Sequence, residues 1–226
     1  MSMGFKTLWG LGLGVAAAGV LALWCASCSN ESNANFSGGA SPTPGVSRSK
    51  GSDKAGAGAF ESDFEKIRIE AESAEKIEGE IMRIVDDPRT SGGKCLEIPD
   101  KSGTPETGKF ARALYRFKIA KPGTYYAWAR RWWVDQCGDT FAIRFDKVGR
   151  PHNEAIIFGA DDSSKPPRWG WTPVRENGRP RPFAFTAGEH LMEILNTEDG
   201  PKLDFVLLTD DASYVPTDSE EMSGPR

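Results

Sequence analysis

Histidine and cysteine are scarce in this chain of 226 residues, with two and four copies. His152 and His190 are far apart, no Gly-x-Ser-x-Gly elbow occurs, and there is no His or Cys cluster of zinc-ligand spacing. A histidine-based triad and a structural zinc site are therefore unsupported. A large excess of charge of one sign is also missing: the net charge is −4, which gives no basis for nucleic-acid binding. No long stretch carries an apolar stripe at the helical period, so a helical bundle is excluded. Acidic residues are plentiful, however, and a glycosidase needs only two carboxylates.

The apolar residues that are present begin with a leader. Lys6 precedes an uncharged run reaching Ser27, which has the form of an export signal. Ala26 and Ser27 stand directly before Cys28, as in a lipobox, although Cys25 replaces the usual leucine. The expectation is a signal peptide or lipoprotein anchor over 1–28 with Cys28 lipidated. The run is also long enough for an uncleaved membrane-spanning helix. Residues 29–60 are rich in Ser, Gly, Ala, Asn and Pro and form a flexible linker in this scheme. The folded domain spans 61–216, and 217–226 is expected to be a disordered tail. A cleaved leader that leaves a soluble domain is the third alternative; all three carry the domain out of the cytoplasm, and a membrane-anchored place in the cell envelope is the leading expectation.

Within the domain the apolar period is two. Ala113, Tyr115, Phe117 and Ile119 take one face of a strand, with Arg112, Arg116 and Lys118 opposite. Tyr125, Ala127 and Ala129 oppose Tyr126, Trp128 and Arg130. Leu203, Phe205 and Leu207 are expected inward, with Asp204 opposite. Turn signals such as "KPPRWG", "ENGRPRP" and "EDGPK" separate the runs. The pattern predicts an all-β fold, an antiparallel β-sandwich in a single domain.

Three groups of residues offer chemistry. Glu70 and Glu72 stand two apart in "KIRIEAE" and share a strand face there. With Asp204, if first and last strands pair, they offer carboxylates suited to Ca²⁺; from spacing alone a solvent-facing strand edge is the better account. Cys95 and Cys137 are the domain's cysteines. A bridge between them would close a loop of roughly forty residues and contribute about 3–4 kcal/mol, the alternative being two separate buried thiols. The third group is aromatic: Trp128, Trp132, Trp133, Trp169 and Trp171 lie near Arg130, Arg131 and Arg168. Tryptophan suits both a core and the apolar face of a sugar ring.

The stretches "IRIEAESA", "SGG", "FKIAKPGTYYAWARRWW" and "FTAGEHLMEILNTEDGPKLDFVLLTDD", in that order, resemble carbohydrate-binding modules of the family 6, 35 and 36 type. The resemblance covers nearly the whole folded part. It implies a β-jelly roll without catalytic activity, and a structural Ca²⁺ between first and last strands at Glu70, Glu72 and Asp204. It also implies a glycan site in loops at one edge of the sandwich. By position, the loop after "WARR" and the "RWGW" segment match that site. Trp133, Trp169 and Trp171 would stack on sugar, with Arg131 and Asp135 on the polar rim. The partner would be a glycan or polysaccharide. A structural or adhesion lipoprotein contacting an envelope protein is the second expectation, and a small polysaccharide-degrading enzyme the third.

Overall fold

A computed structural model of the protein describes residues 64–147, 149, 154–160 and 167–223. The expected leader, the expected lipidation at Cys28 and the expected linker lie outside the described residues.

The described chain is an antiparallel β-sandwich, and its alternating sequence explains why. One sheet contains β2 (Lys76–Glu78), β5 (Arg112–Ile119), β13 (Gly188–Asn196), β7 (Thr140–Phe145) and β8 (Ile156–Gly159), in that spatial order. The other is built on two long central strands, β6 (Gly123–Trp133) and β14 (Lys202–Thr209). The free side of β14 takes β1 (Lys66–Glu70) and β4 (Lys94–Glu97), with β3 (Arg83–Asp86) beyond β4. The free side of β6 takes β12 (Pro182–Phe185) and β9 (Arg168–Pro173). Between β9 and β12 the chain makes a small hairpin, β10 (Arg175–Glu176) and β11 (Arg179–Pro180).

Inward residues at every second position form the core. Tyr115, Phe117 and Ile119 of β5 and Tyr125, Ala127 and Ala129 of β6 are all buried in it. Aromatic rings cross between the layers: Phe145 of β7 meets Phe183 of β12 at 4.7 Å, and Phe117 meets Phe185 at 5.6 Å. The Ala187-Gly188 corner carries the chain from β12 in one sheet to β13 in the other.

Three local expectations are corrected. A β-bulge falls between Leu203 and Phe205 in the β14–β6 pairing. The extra residue shifts the alternation, so Leu203, Val206 and Leu208 join the core, while Phe205 and Leu207 turn to the outer face. Strand β1 ends at Glu70 and Ala71–Ser73 form a turn of 3₁₀ helix, so Glu70 and Glu72 do not share a strand face. The tail after Pro216, expected to be disordered, includes a short helix, α1 (Asp218–Glu221), capped by the Thr217 side chain.

Candidate functional site

Cross-strand register arranges the outer face of the β6–β14 sheet in rows. Trp169 of β9 lies opposite Trp132 of β6, which lies opposite Lys202 of β14, then Glu97 of β4 and Arg83 of β3. The next row runs Trp171, Arg130, Phe205, Glu70. Residues directly opposite point to the same face, so each row is a continuous line of side chains.

The first row is an aromatic pair with a polar rim. The Trp132 and Trp169 rings are 6.1 Å apart at 62°, both partly exposed. The Arg89 guanidinium lies 4.5 Å over Trp132 and is held by Asp87 through a 2.7 Å ion pair. That hydrogen bond holds the Asp87 carboxyl below its ordinary range. Lys202 pairs with Glu97 at 2.9 Å, and Arg83 reaches the same carboxylate from the other side. Trp169 has a buried indole N–H that finds no hydrogen-bond partner among the described residues.

The second row is roofed by the C-terminal segment. Arg130 pairs with Asp218 at 3.0 Å, and the Trp171 indole donates to the same carboxylate at 2.9 Å. Arg68 stacks on Phe205 at 3.7 Å and donates to the Glu221 carbonyl. Glu221, nearly buried, is bound by Lys66 and Tyr214. Trp171, an expected sugar contact, thus packs edge-on against Phe205 and anchors α1.

The other expected contacts separate. Strand β6 continues through Trp133, so the parity that buries Tyr125 also buries Arg131 and Trp133. Trp133 is 5 % exposed and packs on Phe141, which makes it core and removes it from any sugar surface. Arg131, 2 % exposed, donates to Thr172 Oγ1 at 2.7 Å and stacks on Trp133. Asp135 is exposed and caps its own turn by accepting the Cys137 N–H at 2.8 Å. Trp132, Arg89 and Lys202 were missing from the expected set. Extending the Tyr126–Trp128–Arg130 face by one more step points to Trp132, whereas nothing local in the sequence places Arg89 above it.

The bulge directs Asp204 into the acidic cluster. Its carboxylate is fully buried, receives the Arg130 guanidinium at 2.6 Å and accepts the Ser91 hydroxyl at 2.9 Å. Ser91 also bonds Glu70 at 2.8 Å, and Arg68 pairs with Glu70 at 2.6 Å. Burial pushes the Asp204 carboxyl up, outweighing the pull of Arg130 and Ser91. Burial pushes Glu72 up as well, helped by the charges of Glu70 and Asp204. Glu72 lies against Gly92, where a Cβ would meet Oε1 at 1.7 Å, and its buried Oε2 has no hydrogen-bond partner among the described residues.

Of the three expected Ca²⁺ ligands, Glu70 and Asp204 meet at Ser91, and Glu72 lies against the neighbouring Gly92. Among the described residues, however, no three acidic, histidine or cysteine side chains stand together at metal-ligand spacing. The donors are all oxygen, the kind a hard cation takes, and Glu72 Oε2 is unmet among the described residues, but they do not stand at ligand spacing around one point.

Cys95 is a free thiol, fully buried in β4, with burial pushing its pKa up to about 12. The expected Cys95–Cys137 bridge is not made, because Cys95 lies inside the sheet while Cys137 belongs to the turn after β6. His190 is held between Asp146 Oδ2 at 2.7 Å and the Thr186 carbonyl at 2.9 Å.

No protein-family model matches the chain, and no curated protein matches it. Solved structures that the chain matches include the C-terminal CBM6 of LamC, a laminarinase from Zobellia galactanivorans, at 12% identity and TM-score 0.41, covering 64% of this chain and 99% of that one. A family 35 carbohydrate binding module from Clostridium thermocellum matches at 13% identity and TM-score 0.43, covering 64% and 97%. A Cry1Da tryptic core variant from Bacillus thuringiensis matches at 14% identity and TM-score 0.44, covering 62% and 22%.

Proposed function

We propose that this chain is a non-catalytic carbohydrate-binding module, exported and held at the cell envelope by its N-terminal leader. The observation that carries the proposal is the Trp132–Trp169 pair on the outer face, rimmed by Arg89, Lys202 and Glu97. Partly exposed indoles suit the C–H face of a sugar ring, and the charged neighbours suit its hydroxyls. The order of sequence motifs supports the same class. His190 is bound on both ring nitrogens, which suits a structural role better than a catalytic one.

Within this proposal Glu70, Glu72 and Asp204 hold a Ca²⁺ ion, with Glu72 supplying its unmet oxygen. The ion would offset the mutual repulsion of the carboxylates and tie β1 to β14. Anchoring through Cys28 or through the leader as a membrane helix rests on the sequence alone. The alternative, adhesion through protein contacts, has less support. The exposed large apolar side chains Phe110, Ile157 and Val215 belong to three different segments, and singly exposed apolar residues are ordinary.

Electrophoresis in native gels containing single neutral polysaccharides tests the proposal. Retardation by at least one of them is expected. No retardation by any, together with recovery of a specific envelope protein on an affinity column, would move the assignment to adhesion.

A further inference from the structure

The β10–β11 hairpin serves neither the core nor the tryptophan pair. Its strands pair Arg175 with Pro180 and Glu176 with Arg179. Asn177 and Gly178 make the turn with φ of 53° and 77°, a tight two-residue reversal of the I′ kind. Backbone bonds from Val174 to Ala127 and from Arg181 to Val174 fix its base to the edge of β6.

An open hollow of about 480 Å³ lies on this hairpin, lined by Glu176, Asn177, Arg179, Pro180, Arg181 and Pro182, all exposed except the half-buried Arg181. That volume is in the range of small-ligand sites. Its lining shares no residue with the Trp132–Trp169 row. The Arg181 guanidinium is held by Glu176, yet its Nε is buried and has no hydrogen-bond partner among the described residues. Arg179 is exposed beside it, and Arg175 lines a smaller hollow of about 160 Å³ on the β8 side. Two prolines and a tight turn stiffen the lining, so little conformational entropy is lost when a ligand is held.

We propose that this hairpin is a second binding site, for a carbohydrate bearing carboxylate or sulfate groups. Guanidinium forks match both anions in bidentate geometry. Asn177 and Glu176 can exchange hydrogen bonds with ring hydroxyls. Among the described residues, none lining the hollow is an aromatic on which a nucleobase could stack, which favours a saccharide over nucleic acid. The chain as a whole carries a net charge of −4, so attraction of a polyanion must be local to such a patch. The choice of a saccharide rests on the carbohydrate-binding proposal, whereas the hollow and its arginines do not.

The test is affinity electrophoresis of the full chain in polygalacturonate against highly methyl-esterified pectin, and in dextran sulfate against dextran. The first pair reports carboxylate, the second sulfate. Retardation is expected in at least one anionic gel and is weakened about tenfold or more by Arg179→Ala/Arg181→Ala. Lys76→Ala/Lys118→Ala, which removes equal charge from the other sheet, should leave it unchanged, with melting temperatures alike in all three proteins. Trp132→Ala/Trp169→Ala should keep anionic retardation while losing any neutral one, which separates failure of this site from failure of the tryptophan site. No retardation in either anionic gel, equal loss in the arginine and lysine variants, or equally tight binding of a single-stranded DNA oligonucleotide would overturn the proposal.

Discussion

Trp132 and Trp169 face each other across β6 and β9 and present their rings on the outer side of the sheet, 6.1 Å apart. Trp133, one residue along, is buried on the opposite side against Phe141. A single step in a pleated strand thus divides a candidate ligand contact from the core.

Arg130 links the outer face to the acidic cluster by binding Asp204 and Asp218 together. Arg130→Ala would leave the Asp204 carboxylate buried without its cation. A loss of about 3–5 kcal/mol is expected in urea titration, the usual cost of breaking a buried pair from one side. Arg130→Ala/Asp204→Asn should recover part of it, because the remaining buried group is then neutral.

Calcium should raise the melting temperature, and a chelator should reverse the rise. A ligand bound only by the folded state adds about 2.7 kcal/mol at a hundredfold excess over its Kd. Glu72→Gln, at the carboxylate with the unmet oxygen, should abolish the calcium-dependent part. Equal melting curves with calcium and with chelator would remove the ion from the account.

His190 predicts a pH dependence. Burial pulls its pKa down, but hydrogen bonds to Asp146 and the Thr186 carbonyl outweigh it, so the net shift is upward from 6.5. Its contribution to stability is therefore fully present below the unfolded-state value and disappears as pH rises through the higher folded-state one. Urea midpoints at about pH 5.5 and about pH 8.5 should differ less in Asp146→Asn than in the wild type. Asparagine tolerates the positive φ of 54° at that position, which keeps the comparison clean.

Cys95 should resist alkylation in the native protein and react in guanidinium without added reductant, as peptide mapping would show. A requirement for reductant would mean that the thiol is bridged after all.

Much of the fold is legible in the sequence because alternation is a local property. The faces of β5 and the first part of β6 follow from it directly. So would the burial of Trp133, had the Tyr125–Ala129 parity been carried to the end of the strand. The bulge at Asp204 could not be foreseen, since an inserted residue leaves composition and period nearly unchanged while exchanging the two faces beyond it. Glu72 leaves the strand in a turn that its neighbours do not announce. The roofing of Trp171 depends on Asp218, which is distant in sequence and lies in a polar segment with the composition of a disordered tail. Long-range pairing of this kind fixed which tryptophans remain available, and it is what sequence period alone cannot supply.

The most direct test of the central claim compares Trp132→Ala, Trp169→Ala and Trp133→Ala for affinity toward whichever neutral polysaccharide retards the wild type, with melting temperature measured alongside. Trp132→Ala and Trp169→Ala should bind about tenfold or more weakly with little change in melting. Trp133→Ala should lose about 3–5 kcal/mol of stability, as a large core side chain does. Wild-type affinity in both outer-face variants would contradict the account.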